Sequence, residues 1–298
     1  MNVVETNRLT KWYGRHEALR GIDLRVAAGG IVGFLGPNGA GKTTALRILL
    51  GLLRATAGRA TVFGRDPWRD GPAIREQVGY LPGDVRFYDH LTGRRIVDFA
   101  DAVRGSRAQT EIRRLASVLE LDLDRRVRDY SRGMKQKLGL IVALMHRPKL
   151  LILDEPTVSL DPLVRQTLFE ELRAVADDGR TVLFSSHTLG EVEELCDQVA
   201  IVRNGRLIEQ DRIDVLRRRA LRRVEVVFDG DGPLRRPPKG LHVLRESDGR
   251  LSGTWVGGVA PLLSWLAENP VRDVTIAAPD LEDLFLAYYT DEKPEDAA

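Results

Sequence analysis

One stretch constrains this chain more than any other. Gly36-Pro37-Asn38-Gly39-Ala40-Gly41-Lys42-Thr43 sets glycines, a lysine and a hydroxyl at the spacing of a loop that wraps phosphate oxygens. Ahead of it, Ile31 to Leu35 is a short continuous apolar run, read as a buried strand. Behind it, Thr44 to Leu53 carries apolar residues at helical spacing. Strand, glycine-rich loop and helix, in that order, is the context this spacing requires, and an ordinary glycine-rich turn accounts for it poorly. Glycines let the backbone wrap closely, so that its N–H groups and the helix N-terminus hold phosphate oxygens. Lys42 reaches the terminal phosphates, and the Thr43 hydroxyl is an oxygen ligand for Mg²⁺.

Two further segments carry chemistry. Leu150-Leu151-Ile152-Leu153-Asp154-Glu155 ends an apolar strand in two carboxylates. Asp154 suits contact with Mg²⁺, and Glu155 suits a hydrogen bond from an attacking water. A strand that ends in acidic residues is common in itself, and its pairing with the phosphate-binding loop makes it specific. Tyr130-Ser131-Arg132-Gly133-Met134-Lys135-Gln136 opens a helix: Ser131 can cap it, Gly133 permits close backbone approach, and the N-terminus favours an anion. Read alone, this segment is only a capped helix start.

Around these segments the periodicity changes. Short alternating runs from Val3 to Val26 predict antiparallel strands, and Thr61 to Phe63 and Val78 to Leu81 predict further short ones. Residues 91–145 turn helical, with helices over Gly93 to Val103, Thr110 to Leu121 and Arg132 to Met145, and form a helical insertion. Buried parallel strands are expected at Leu150 to Leu153 and Thr181 to Phe184, joined by a helix from Pro162 to Asp177 that Asp161 caps. Asn204-Gly205 reads as a hairpin turn. The basic cluster Arg217, Arg218, Arg219, Arg222 and Arg223 reads as a solvated helix end, with contact to anionic headgroups as the alternative. Past it, strands at Val224 to Phe228, Leu241 to Leu244 and Val271 to Ala277 and helices at Pro261 to Glu268 and Leu281 to Tyr289 predict a small α+β domain. The expected domains are residues 1–219 and 220–298.

Composition narrows the class. In 298 residues, 43% hydrophobic and 30% charged is ordinary globular usage and argues against extensive disorder. A net charge of +2 makes no demand for nucleic acid. The single Cys196 reads as a small core residue. The longest apolar run, Leu138 to Met145, falls far short of the roughly 18 residues of a membrane span. Met1 to Leu9 lacks a signal-peptide pattern, so residence in the cytosol is expected, with any membrane work done through a partner. His16, His90, His146 and His242 show no metal-ligand spacing.

Taken together, the glycine-rich loop, the Ser-x-Gly-x-x-Gln helix start, Leu153-Asp154-Glu155-Pro156-Thr157, Ser159-Leu160-Asp161 and Ser185-Ser186-His187 resemble, in that order, the ABC ATPase family over residues 1–215. The resemblance implies an α/β fold: a P-loop ATPase domain with a mixed sheet core, antiparallel strands and a helical signature subdomain. It implies ATP and Mg²⁺, with Gly36 to Thr43 and Thr44 on the nucleotide, Thr43 and Asp154 on the metal, and Lys42, Glu155 and His187 as catalytic groups. It makes Ser131, Arg132, Gly133 and Gln136 a signature acting on the partner's ATP, and places Ser159 and Asp161 in the D-loop. Tyr13 resembles the aromatic that stacks on adenine, with Trp12 as the alternative. Two departures stand out: Gly83 occupies the usual place of the Q-loop glutamine, with Asp84 next to it as a substitute metal ligand or a plain turn residue, and Arg132 replaces a usual glycine.

The signature segment, the Leu81-Pro82-Gly83-Asp84 segment and Leu281-Glu282-Asp283-Leu284-Phe285 look like the ABC-2-type exporter branch, in which a C-terminal domain follows the ATPase. The resemblance thus implies a homodimer with composite ATP sites, docked on separate transmembrane permease subunits at the cytoplasmic face of the membrane. Export of a drug, antibiotic or lipid-like substrate is the expected work. Soluble family members acting on ribosomes or DNA usually carry a second cassette or a long coiled coil, which this chain lacks. A nucleotide binder without turnover is the third reading.

Overall fold

The computed structural model describes residues 1–219, 221–229, 236–247 and 249–277. The chain divides into two compact units between Gln210 and Asp211, ahead of the expected break after Arg219. The expected helix from Leu281, with its Leu-Glu-Asp-Leu-Phe segment, lies outside the described residues.

The first unit opens with β1 (Asn2–Tyr13), β2 (His16–Ile22) and β3 (Arg25–Ala27), followed by β4 (Gly30–Leu35), α1 (Lys42–Leu49) and β5 (Ala57–Val62). β1 pairs antiparallel with β2, β3 and β5, and register shifts along these pairings let Val4, Leu9, Leu19 and Ile22 all be buried. α1 is shorter than the predicted Thr44 to Leu53, because the N–H groups of Gly51 and Leu52 turn back to the carbonyls of Ile48 and Arg47 and end the helix.

The chain continues through α2 (Gly71–Arg75), β6 (Val78–Leu81), α3 (Gly93–Arg104), α4 (Gln109–Val118), α5 (Arg132–Leu144), β7 (Leu150–Asp154), α6 (Pro162–Asp177), β8 (Thr181–Ser186), α7 (Leu189–Leu195), β9 (Gln198–Arg203) and β10 (Arg206–Arg212). The second sheet has the order β10-β9-β4-β8-β7-β6, and β9, β4, β8, β7 and β6 run parallel. Its central strands are apolar throughout because both faces are covered, as at β7, where every residue is buried. α1 lies between the two sheets: Ala45, Leu46, Ile48 and Leu49 share one core with Val4 and Leu19 of the first and Val32, Phe34 and Ile152 of the second.

Helices α3, α4 and α5 form the insertion. Thr92 and Ser131 cap α3 and α5 by accepting from the backbone N–H groups of Arg95 and Met134. Arg114 of α4 ties this block to α6. Its two terminal nitrogens sit 2.8 and 2.7 Å from the carboxylate oxygens of Glu171, in the paired geometry that makes such contacts strong.

In the second unit, α8 (Ile213–Arg219) is followed by β11 (Arg222–Phe228), β12 (Leu241–Ser247), β13 (Arg250–Trp255), α9 (Val259–Ala267) and β14 (Val271–Ile276). The antiparallel sheet has the order β12-β13-β11-β14. Its core gathers Val224, Val226, Phe228, Leu251 and Trp255 against Leu262, Trp265 and Leu266 of α9. β13 goes unforeseen in the sequence because Ser252, Gly253 and Thr254 dilute its apolar pattern.

Candidate active site

Strand register builds the site. Leu35 of β4 stands opposite Ser186 of β8, and Asp154 of β7 stands opposite Ser185, so three parallel strands end at one edge. The loop after β4, Glu155 after β7 and His187 after β8 therefore leave the sheet side by side, in the crevice where open α/β sheets bind ligands.

The loop is held by backbone geometry before any side chain acts. Gly41, just before α1, has φ 102°, and a Cβ there would meet the carbonyl oxygen of Ala18 at 2.6 Å, so only glycine fits. This turn starts the helix at Lys42 and presents its first N–H groups to the crevice. The Lys42 side chain is buried, with Nζ 2.5 Å from the Gly36 carbonyl oxygen and 3.1 Å from Glu155 Oε1.

A second group forms around Asp154, which is 1% exposed. The Thr43 hydroxyl donates to Asp154 Oδ2 at 2.7 Å, and the Ser185 hydroxyl donates to Oδ1 at 2.6 Å. The same Ser185 oxygen accepts from the Glu155 N–H at 3.0 Å. One serine thus fixes both acidic residues. Burial, and then the negative charge of Asp154, raise the Tyr80 phenol above its ordinary pKa, which keeps it neutral.

Glu155 has φ 51°, a left-handed conformation that costs a non-glycine residue roughly 1–2 kcal/mol. Such strain persists only where the surroundings impose it, and it clusters at functional sites. Here it swings the carboxylate off the strand. Glu155 Oε2 lies 2.7 Å from His187 Nδ1, while Oε1 makes its charge contact with Lys42 without a well-aligned hydrogen bond.

An open pocket of about 280 Å³ is lined by Tyr13, His16, Ala18, Glu155 and residues 37–44. Tyr13 is 45% exposed, with Lys11 Nζ 5.3 Å from its ring centroid. Trp12, its neighbour on β1, is not among the lining residues. His16 enters the lining because Tyr13 and His16 face each other across the β1–β2 turn. The sequence marks Ser185 only as part of the Ser185-Ser186-His187 segment and gives neither it nor His16 a role at this site. Of the other histidines, His146 is pushed down to about 4 by burial and by Arg104, and stays neutral near neutral pH. Burial pushes the Cys196 thiol up, as a packed, inert cysteine requires.

The remaining predicted residues stand apart from this pocket. Ser131, Arg132 and Gly133 lie outside its lining. Gln136 was grouped with them on resemblance, yet it is 6% exposed and its amide donates within its own chain, to the Pro156 carbonyl at 3.0 Å. Ser159 has φ 67°, and Asp161 caps α6 by accepting from the Val164 N–H at 3.0 Å, a bond that lowers its carboxyl pKa. Asp84 is exposed and bound to Arg86, 2.7 Å away. The position facing Asp154 is Gly83 itself, where a Cβ would stand 3.5 Å from Asp154 Oδ2. Asp84 thus stands as an exposed turn residue paired with Arg86, and Gly83 is the position beside Asp154.

The donors fit a hard cation beside phosphate oxygens. Mg²⁺ takes one or two protein oxygens and completes its shell with water and phosphate, and the Thr43 hydroxyl and the Asp154 carboxylate supply those two. No cluster of three or more His, Cys, Asp or Glu residues competes with them among the described residues.

Comparison with known proteins places this arrangement. A family model described as ABC transporter matches residues 19–158. An uncharacterised ABC transporter ATP-binding protein of Synechocystis sp. is 35% identical over 96% of this chain and 84% of its own length. A daunorubicin resistance ATP-binding protein of Streptomyces coeruleorubidus is 35% identical over 95% and 94%. Among solved structures, an ATP-binding subunit of an ABC transporter shares 31% identity and superposes with a TM-score of 0.66 over 72% of this chain and 92% of that one. With its mixed-sheet core and helical insertion, the chain belongs to the ABC transporter family, as an ATP-binding and ATP-hydrolysing subunit.

Proposed function

We propose that the chain hydrolyses ATP with Lys42, Glu155 and His187 and uses the energy to drive export through separate membrane subunits. The observation that carries the catalytic part is the single cluster in which Glu155, turned out by its φ of 51°, lies between Lys42 and His187. In this reading Tyr13 stacks on adenine, the loop N–H groups and Lys42 hold the β- and γ-phosphates, and Thr43 and Asp154 hold Mg²⁺. The metal supplies charge neutralisation at the phosphate oxygens when bound. Glu155 accepts a hydrogen bond from a water in line with the γ-phosphorus. The new P–O bond forms as the bridging P–O bond to ADP breaks, and His187 fixes the carboxylate at Oε2.

Two sites would form in a head-to-tail homodimer, each ATP held by one loop and capped by Ser131, Arg132 and Gly133 of the other subunit. That these three lie outside their own chain's pocket supports an action in trans. The membrane subunits would dock on the helical insertion at the cytoplasmic face of the membrane. α3 offers Phe99 and Val103, 71% and 70% exposed and four residues apart, as one apolar strip. A drug or antibiotic is the preferred substrate class, given the similarity to the daunorubicin resistance protein along nearly the whole chain. Nothing in the charge balance calls for nucleic acid.

The test is ATP turnover by the purified chain, alone and reconstituted with a candidate permease subunit. Turnover that rises on reconstitution, together with ATP-dependent drug efflux from vesicles, is the expected result. Tight ATP binding with no turnover in either state would make the chain a regulatory binder.

Gly83 yields a separate expectation. Asp84→Asn should leave the Mg²⁺ dependence of turnover unchanged, because Asp84 is exposed in the turn and Gly83, not Asp84, stands beside Asp154. Gly83→Gln, with only ordinary contacts at its Cβ, should fold and lower the Mg²⁺ concentration at half-maximal rate by adding a ligand oxygen. A raised Mg²⁺ requirement in Asp84→Asn would reinstate Asp84 as a ligand.

A further inference from the structure

We propose that Gln136 is a positioning residue through which the start of α5 sets the backbone that aims Glu155, so that the state of one ATP site adjusts the general base of the other. The proposal rests on the reading above, in which Glu155 is the base and the start of α5 caps the partner's ATP.

A buried amide needs partners, and Gln136, 6% exposed, finds them in one place. Its Nε2 donates to the carbonyl oxygen of Pro156 at 3.0 Å and, more weakly, to that of Glu155 at 3.4 Å. From the opposite side, the Glu155 N–H donates to Ser185 Oγ and to the Ser185 carbonyl. The Glu155 backbone is thus gripped between β8 and α5 at the residue that holds the left-handed φ. Strain of that kind needs an outside clamp, and Gln136 is the half of the clamp that belongs to the helical insertion.

A second contact removes slack between α5 and this loop. One turn before Gln136, the Cα of Gly133 approaches Ser159 so closely that a Cβ would lie 2.6 Å from the Ser159 carbonyl oxygen. Ser159 also has positive φ, and two residues later Asp161 caps α6. The first turns of α5 therefore press on this loop at two points, Glu155–Pro156 and Ser159. Ser131 and Arg132 project at the same end of the helix and are exposed. A load placed on them by the partner's γ-phosphate reaches the Glu155 carbonyl through one helical turn and one side chain.

The experiment is a double-mutant cycle in the full chain, read as single-turnover hydrolysis and ATP titration. Gln136→Leu keeps much of the side-chain volume and removes the donor. It is expected to lower kcat by about tenfold while KM for ATP changes by no more than about twofold. In the Glu155→Gln background the same change should leave the residual rate as it is, because a residue that acts only by aiming Glu155 has nothing left to aim. ATP-induced dimerisation should persist in the double variant. Should Gln136→Leu not fold, Gln136→Glu keeps the shape, sets a carboxylate against two carbonyls, and is expected to show the same split. An equal fold-loss in both backgrounds, a shift confined to KM, or an unchanged kcat would overturn the proposal. Failure of the base assignment shows elsewhere, as wild-type hydrolysis by Glu155→Gln alone.

Discussion

Glu155→Gln is expected to slow ATP hydrolysis by about a thousandfold while leaving ATP binding intact. The amide matches the carboxylate in size and keeps a carbonyl oxygen, but it is a far weaker acceptor for the proton of an attacking water. It also abolishes two charge contacts, at 3.1 Å to Lys42 and 2.7 Å to His187. Binding is spared because the loop, Tyr13 and Thr43 line the pocket independently of that charge. Single-turnover hydrolysis and equilibrium titration with a fluorescent ATP analogue check both halves. A rate within a fewfold of wild type would transfer the role of base to another group.

Lys42→Ala is expected to weaken ATP binding by about a hundredfold, with turnover falling in step. Hydrogen bonds to a charged partner contribute roughly 1.5–3 kcal/mol, and tenfold in affinity corresponds to about 1.4 kcal/mol. The ammonium is buried at the head of α1, 2.5 Å from the Gly36 carbonyl, so the loop already places it where phosphate oxygens would lie. Removing it also strips Glu155 Oε1 of its counter-charge, so the loss of turnover is expected to accompany the loss of binding. Calorimetric titration measures the affinity, and an unchanged melting temperature separates this effect from misfolding. Full affinity in the folded variant would refute the phosphate assignment for this loop.

What the sequence discloses about this site is what is local. The glycine-rich loop announces itself because its strand, its turn and its helix are consecutive, and Asp154-Glu155 stands out as two acids closing an apolar strand. The Ser131 and Asp161 caps are legible for the same reason, as single residues at helix starts. Ser185 is not. Its hydroxyl matters because β7 and β8 pair with Asp154 opposite Ser185, a register fixed by tertiary packing across 31 residues. His16 enters the pocket only through the β1–β2 pairing, and Gln136 turns inward only because α5 lies against the Glu155 loop. The fold follows the same division. The parallel strands are plain as short apolar runs, whereas β13, interrupted by Ser252, Gly253 and Thr254, takes its burial from neighbours that the local pattern does not reveal.

In the proposed cycle ATP joins two copies of this chain and hydrolysis releases them. Sedimentation of purified Glu155→Gln tests it most directly, first with ATP and Mg²⁺ and then after exchange into ADP. A doubling of mass with ATP that reverts to the monomer with ADP is expected, and the doubling should vanish when Ser131→Arg blocks the α5 end that caps the partner's site. A protein that binds ATP yet stays monomeric, or a dimer indifferent to nucleotide, would contradict it.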